Sequence, residues 1–163
     1  MSRFILPFGL ALGLSVSMAS DTDAQRQGFI IGFGAGPGVT TGDVDSKLGV
    51  STDFKIGAMA GKSVQLYCTS KWSFFSEDGA PIAAGLHGLG VTHQWPSGFN
   101  INGTAGVATW IDFDWDAYVG IGLGAGVGYE FADRWVVNLG GAWGRREDIN
   151  VFNLALTISV LSH

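Results

Sequence analysis

Histidine is the leading candidate for a catalytic residue in this sequence, because imidazole is the usual general base near neutral pH. His87 stands in the run His87-Gly88-Leu89, and His93 in His93-Gln94-Trp95. A hydrolytic triad also needs a nucleophile and an orienting acid that converge on the base in space. Nothing in the sequence shows such convergence, so we expect no catalytic residue.

Two other motifs resemble ligand-binding sequences, but the residues around them do not match those of a functional site. Asp112, Asp114 and Asp116 have the D-x-D-x-D spacing that opens a calcium loop, but the glycine and distal glutamate of an EF-hand are missing. The glycines of GFGAGPG and GIGLGAGVG suggest a dinucleotide fingerprint, yet their period of two continues through a strand instead of opening a helix. We therefore expect no defined metal site and no cofactor.

Period two is the dominant pattern of the chain. In 120–131 glycine occupies the even positions from 120 to 128, while Ile121, Leu123, Ala125, Val127, Tyr129 and Phe131 occupy the odd ones. Such alternation is typical of β-strands with two different faces. Eight stretches alternate in this way: 29–36, 48–60, 63–75, 82–95, 101–111, 118–131, one that starts at Trp135, and one from Phe152 to Val160. The fourth changes phase after Leu86, which predicts a β-bulge near Gly88.

The connections predict how the strands are arranged. Short turns at 61–63, 96–98 and 132–134 alternate with segments that are longer on average or more charged, such as PGVTTGDVDSKL and DFDWD. An even number of antiparallel strands with this alternation indicates an all-β fold, an eight-stranded antiparallel up-and-down transmembrane β-barrel.

The composition of the two strand faces predicts which one meets lipid. One face carries the large apolar side chains, whereas the other is mostly Gly, Ala, Ser, Thr and Asn, which would make a poor solvated surface. A closed barrel satisfies every backbone donor and acceptor, as a bilayer requires. We therefore expect the apolar face, including Cys68, to point at lipid.

The inward face then contains ionisable and polar groups in a narrow lumen. Buried charges need partners, so we expect an interior ion-pair and hydrogen-bond network. It would behave as a static plug, or alternatively as a gate that re-pairs to pass water or ions. The glycine row would give the long side chains space, with a slot for a small ligand as the alternative. The predicted lumen residues are Asp53, Lys55, Gln65, Tyr67, Lys71, Glu130 and Asn138.

Aromatic residues collect near the two ends of the strands, as interfacial anchoring in a bilayer demands. The predicted membrane-interface residues at the short-turn end are Trp95, Phe99, Tyr129, Phe131 and Trp135. Those at the acidic end are Trp72, Phe74, Trp110, Phe113, Trp115 and Trp143.

The acidic connections would form one rim of the barrel. Their like charges repel unless Lys47, Arg145, Arg146 or divalent cations bridge them, which predicts loose Mg²⁺ or Ca²⁺ association. The acidic residues concerned are Asp43, Asp45, Glu77, Asp78, Asp112, Asp114, Asp116, Glu147 and Asp148.

The first residues predict export. Arg3 followed by the apolar run 4–16 and the small-x-small group 17–19 resembles a secretory signal peptide, with cleavage after Ala19 or Ala24. We thus assign 1–24 to a signal peptide and 25–163 to the barrel. A single cysteine allows no internal disulfide, and a formal net charge of −5 argues against nucleic-acid binding.

Three segments carry a family resemblance: VQLYCTSKW, GLGAGVGYEF followed by RW, and the closing LALTISVL. With them the chain resembles the small eight-stranded outer-membrane barrels of Gram-negative bacteria, the class of the OmpA transmembrane domain and OmpX. The resemblance implies insertion by the barrel assembly machinery, outer-membrane lipid and lipopolysaccharide as neighbours, and both termini in the periplasm. Such barrels usually end in an aromatic residue, whereas this sequence ends Leu161-Ser162-His163.

The resemblance implies a non-enzymatic protein with a structural or envelope-interaction role and a filled lumen. A narrow channel for ions or small solutes is one alternative. A lipid A-modifying enzyme is another, because some barrels of this size trim or acylate lipid A. Deacylases of that kind carry a His-x-Ser-Asn pattern, which neither His87 nor His93 matches.

Overall fold

The computed structural model describes residues 28–43, 45–77, 79–111, 117–131, 134–146 and 149–162. They form eight β-strands: β1 (Phe29–Gly42), β2 (Lys47–Met59), β3 (Val64–Glu77), β4 (Ala80–Gln94), β5 (Phe99–Ile111), β6 (Ala117–Phe131), β7 (Trp135–Arg146) and β8 (Ile149–Ser162). In the described part of the chain, no helix is long and apolar enough to cross a membrane. The predicted signal peptide lies outside the described residues.

The strands close into a single barrel. Each strand pairs antiparallel with the next, and β8 pairs with β1 to complete the ring. The all-β, eight-stranded, antiparallel up-and-down barrel predicted from the alternation is therefore confirmed. We call the end that holds Phe29 and Ser162 the terminal end, and the opposite end the loop end.

Several strands are longer than the sequence pattern predicts. β1 continues past Pro37 as far as Gly42, because Thr40 and Thr41 pair with Asn153 and Phe152 of β8. Threonine is β-branched and favours a pleated surface, so these residues extend the strand. The segment predicted as a long connection after β1 thus shrinks to 43–46, which is no longer than the connection 60–63 at the terminal end.

The predicted bulge near Gly88 is wrong. β4 pairs with both neighbours in one unbroken register, and Gly88 lies directly opposite Thr69 on one side and Gly106 on the other. The change of phase has another cause. Ile82 and Leu86 are buried and point into the barrel, whereas Leu89 points outward.

The two faces of the barrel differ as expected. Large apolar side chains on the outside are about half exposed, with Val119 at 66% and Ile121 at 65%. Polar side chains such as Gln65 and Ser159 are buried inside. Apolar residues also occur inside, at both ends of the barrel: Ile30, Val136 and Leu161 at the terminal end, and Phe75, Ile82 and Leu86 towards the loop end.

The turn between β4 and β5 shows how the terminal end is closed. The amide of Trp95 donates to the carbonyl of Phe99 at 2.9 Å, and the amide of Gly98 donates to the carbonyl of Trp95 at 3.0 Å. Gly98 has a φ of 89°, a left-handed conformation that is costly for residues with a Cβ. The sequence 96–98 therefore makes a tight turn and keeps β4 and β5 in register.

Gly88 and Gly103 give a matched test of backbone approach. A Cβ on Gly88 would overlap the carbonyl oxygen of Ala105 and lie 2.7 Å from the Cα of Gly106, whereas a Cβ on Gly103 would meet only the carbonyl oxygen of Gly124 at 3.9 Å. Gly88→Ala should destabilise the barrel by about 1–3 kcal/mol, the usual cost of overpacking. Gly103→Ala should be neutral or stabilising, since it removes backbone freedom from the unfolded chain.

Urea unfolding of both variants from lipid vesicles measures these changes. Equal effects of the two substitutions would contradict the close approach of β4 and β5.

Candidate functional site

The lumen is the first candidate site, and all seven predicted lumen residues point into it. Alternate residues of each strand point inward (the inward parity), and each predicted residue occupies such a position and is buried or half-buried. Two of them, Gln65 and Tyr67, are 3% and 6% exposed. The inward residues are Asp53 and Lys55 on β2, Gln65, Tyr67 and Lys71 on β3, Glu130 on β6 and Asn138 on β7.

A hydrogen-bonded chain crosses the lumen near the terminal end. The Nε2 of Gln65 donates to the Oε1 of Gln94 at 3.3 Å, and the Nε2 of Gln94 donates to the carboxylate of Glu130. The hydroxyl of Thr92 bonds the phenol oxygen of Tyr67 at 3.2 Å. Residues from β3, β4 and β6 are thereby tied together across the interior.

Among the described residues, the lumen carboxylates of Asp53 and Glu130 accept hydrogen bonds and Lys55 makes a cation–π contact, without a close ion pair. Thr69 donates to the Oδ1 of Asp53 at 2.9 Å, and the Nζ of Lys55 lies 5.5 Å from the centre of the Tyr67 ring. The charge of Lys55 also interacts at longer range with those of Asp53, Lys71 and Glu130. The structure thus shows the hydrogen-bond part of the predicted network.

Several members of the network were missed by the sequence reasoning. Thr69, Thr92, Gln94 and Asn102 all have inward parity, and the Nδ2 of Asn102 donates to the Oδ1 of Asn138 at 2.8 Å. Their positions in the inward–outward alternation of each strand could have identified them from the sequence. Two buried acceptors, Gln65 Oε1 and Thr104 Oγ1, have no hydrogen-bond partner among the described residues.

Apolar side chains close the lumen at the terminal end. Ile30, Val136 and Leu161 are at most 5% exposed and lie beside the polar chain. Consecutive apolar residues, as in Val136-Val137 and Val160-Leu161, mark these positions in the sequence, because one residue of each pair must point inward. The space left between the apolar and polar groups is about 10 Å³, close to that of one water molecule.

The loop-end half of the lumen is open by contrast. A cavity of about 190 Å³ begins above Asp53 and Asn138 and extends towards the loop end. Its lining includes Leu86, Trp110 and Ala142. The lumen is therefore a plug at one end and a chamber at the other.

Most of the predicted interfacial aromatics point outward. At the terminal end Trp95 packs on His93 at 4.5 Å and on Phe99 at 5.3 Å between ring centres, and Tyr129, Phe131 and Trp135 are exposed beside them. At the loop end Trp72, Phe74 and Trp143 have outward parity. Phe113 and Trp115 lie outside the described residues.

Trp110 is the exception, and its predicted position facing lipid is wrong. Its ring lies 5.4 Å from that of Phe75, whose side chain is buried inside the barrel. The even residues of β5, among them Asn100 and Thr104, point into the lumen, and Trp110 follows the same parity. It therefore stands at the mouth of the chamber.

The structure brings His87 together with two hydroxyls on the outer wall. The imidazole Nδ1 lies 2.9 Å from the Oγ of Ser70, and the Nε2 lies 3.0 Å from the Oγ1 of Thr109. The ring occupies the space above Gly85, where a Cβ would lie 2.6 Å from the Nε2, and it packs edge-on against Trp72 at 4.7 Å. Ser70 and Thr109 come from strands on either side of β4, so sequence spacing could not reveal the cluster.

The acidic rim lies largely outside the described residues, since 78, 112–116, 147 and 148 are not covered. Asp43 is described, and its Oδ2 accepts hydrogen bonds from the amide of Asn150 at 2.6 Å and from its Nδ2 at 3.2 Å. This carboxylate ties the end of β1 to β8. Within the described ranges, no group of three or more His, Cys, Asp and Glu residues could hold a metal ion.

Comparison with known proteins identifies the fold. No protein-family model matches the chain, and no curated protein sequence matches it. The solved structures with a similar fold include Ail, the attachment invasion locus protein of Yersinia pestis, with a TM-score of 0.60 and 12% identity over 85% of this chain and 99% of that one. Neisserial surface protein A is similar at a TM-score of 0.56 and 12% identity, covering 81% and 96%.

OprG of Pseudomonas aeruginosa is similar at a TM-score of 0.53 and 14% identity, covering 85% of this chain and 98% of OprG. At these low sequence identities the similarity shows a common backbone fold and nothing about individual side chains. It agrees with the closed ring of eight strands and with the resemblance carried by the three sequence segments. The chain has the fold of the small eight-stranded outer-membrane β-barrels, the OmpA and OmpX type.

Proposed function

We propose that this chain is a non-enzymatic integral protein of the Gram-negative outer membrane with a structural or envelope-interaction role. One observation carries the proposal: a continuous belt of half-exposed apolar side chains surrounds a barrel whose backbone hydrogen bonds are closed. A belt of this size would drive aggregation in water, whereas lipid solvates it. The solved barrels with a similar fold support the location.

The loop end is the part that would contact other molecules. In this orientation the termini face the periplasm and the acidic connections face outward, next to the phosphates of lipopolysaccharide. Divalent cations would bridge acidic side chains to those phosphates. Ail is named an attachment invasion protein, which supports a surface-contact role for a barrel of this shape. The short connections would give a small contact area.

A closed lumen favours the structural role over a channel. The hydrogen-bonded chain through Gln65, Gln94 and Glu130 crosses the interior, and Ile30 and Leu161 seal it below. A path for ions would require these contacts to break together. We therefore propose that the network is a static plug rather than a gate.

The sole cysteine allows a direct test of the outward face. Cys68 is exposed between strands β2 and β4. A nitroxide attached to it in lipid vesicles should collide readily with oxygen and rarely with a water-soluble nickel chelate, because the label would lie in hydrocarbon.

The double variant Cys68→Ser, Lys62→Cys serves as control, since Lys62 is exposed in a turn at the terminal end. Its label should show the opposite preference in electron paramagnetic resonance. Frequent collisions of the Cys68 label with the nickel chelate would refute the membrane orientation.

Planar-bilayer recording tests the plug. The unmodified chain should show no discrete openings, because the terminal half leaves room for about one water molecule. Tyr67→Ala removes the phenol that accepts a hydrogen bond from Thr92 and the ring that contacts Lys55. Channel openings of small conductance should therefore appear in this variant. Tyr129→Ala, on the outer wall, should stay silent. Regular openings of the unmodified chain would establish the channel alternative instead.

The Ser70–His87 pair favours a second candidate, hydrolysis of a lipid ester. His87 would accept the hydroxyl proton as the Oγ of Ser70 attacks the ester carbonyl, and would pass it to the departing alkoxide, which leaves as the alcohol. In the second step His87 would take a proton from water as the water attacks the acyl-serine, and would return it to the Oγ of Ser70 as the carboxylic acid leaves. The distance of 2.9 Å fits a nucleophile and its base.

Mass spectrometry of lipid A and phospholipids separates the two candidates. Cells with the unmodified chain, with Ser70→Ala and with Ser76→Ala should give the same lipid profile, because we propose no chemistry. Ser76 is the matched control, an exposed serine on the outward face of the same strand. Loss of acyl chains that requires Ser70 but not Ser76 would overturn the non-enzymatic role.

A further inference from the structure

The glycine row on β6 divides into two parts with different surroundings. Near the terminal end it makes space for polar side chains, since a Cβ on Gly126 would lie 3.0 Å from the Oδ1 of Asn102 and one on Gly128 would lie 2.8 Å from the Oδ1 of Asn100. These glycines belong to the plug.

Towards the loop end Leu86 faces the β6 glycines, since a Cβ on Gly122 would lie 2.6 Å from its Cδ1. The small residues that border the chamber belong to β7 instead. On β7, a Cβ on Gly140 would meet only the Nδ2 of Asn138 at 3.1 Å and the carbonyl oxygen of Ala125 at 3.7 Å. Ala142 and Gly144 continue the same face of β7. The chamber of about 190 Å³ exists because the inward residues of β7 are too small to fill the space in front of Leu86 and Trp110.

The chamber has an apolar side and a polar side. Leu86, Ala108 and Trp110 on β4 and β5 form an apolar wall. On the adjoining strands β2 and β3, Ser51 and Ser73 share a hydrogen bond of 3.0 Å.

The floor of the chamber carries charge. Asp53 and Lys71 are cross-strand neighbours and both line the cavity, and Asn138 lines it from β7 on the far side of the barrel. The floor can therefore accept a hydrogen bond through a carboxylate and donate one through an amine or an amide.

We propose that this chamber binds a small, neutral, amphipathic molecule that consists of one ring and one hydrogen-bonding group. The ring would pack on Leu86 and Trp110, and the polar group would reach Asp53 or Lys71 on the floor. The size fits, because an apolar protein cavity of about 150 Å³ accommodates benzene. This binding goes beyond the proposed structural role and does not require passage through the plug.

The probe 4-fluorophenol has this chemistry and can be followed by fluorine NMR with the full barrel in lipid nanodiscs. Binding should be saturable. Ala142→Leu should weaken the affinity at least about tenfold, because its added atoms occupy the ligand volume. Ala125→Leu is the matched control: it makes the same change on the outward face of the adjacent strand, opposite Gly141, and should leave the affinity unchanged.

Heat-dependent gel mobility checks that both variants fold. Non-saturable uptake that is equal in all three proteins, or equal affinity in Ala142→Leu and the unmodified chain, would overturn the proposal. Fluorobenzene, which lacks the hydroxyl, should bind about fivefold more weakly through the loss of one hydrogen bond. Equal affinity for both probes would refute the role given to the polar floor.

Discussion

The closed ring of backbone hydrogen bonds is the constraint on which the rest of this structure depends. Hydrocarbon offers no partner to an amide or a carbonyl, so every strand must pair on both sides and the last must meet the first. β8 does so with β1 across almost its whole length, with a gap where Pro37 has no amide hydrogen to donate. Within the closed ring the apolar alternation and the turns set the register, and the register decides which side chains face lipid and which face the lumen.

Eight strands enclose so little space that the choice between large and small inward residues decides what the lumen can do. At the terminal end, glutamine, tyrosine and asparagine side chains meet across the axis and fill it. At the loop end, glycine and alanine leave volume between Leu86 and the opposite wall. One closed barrel of eight strands therefore contains a plug and a chamber.

The sequence was sufficient for the strand number, the closure and the parity of the polar residues, since all three follow from the period of two. It was misleading where a side chain broke that period. Ile82 and Leu86 suggested a bulge, and Trp110 suggested a lipid anchor, because an apolar residue was assumed to point outward. A barrel mouth is wide enough to take such side chains inside, as the contact of Trp110 with Phe75 shows. The contact of His87 with Ser70 and Thr109 depends on cross-strand register, which a short sequence motif does not specify.

That cluster also shows why the geometry of a catalytic pair is weaker support for an enzyme here than in a soluble fold. A polar group that faces lipid must find a partner, and Ser70, His87 and Thr109 satisfy one another without any substrate. Ester hydrolysis further needs donors aimed at the developing oxyanion. Backbone amides usually supply them, but those of Ser70 and its neighbours pair with β2 and β4 in the sheet. Mutual hydrogen bonding of lipid-facing polar groups therefore explains the cluster with fewer requirements than catalysis does.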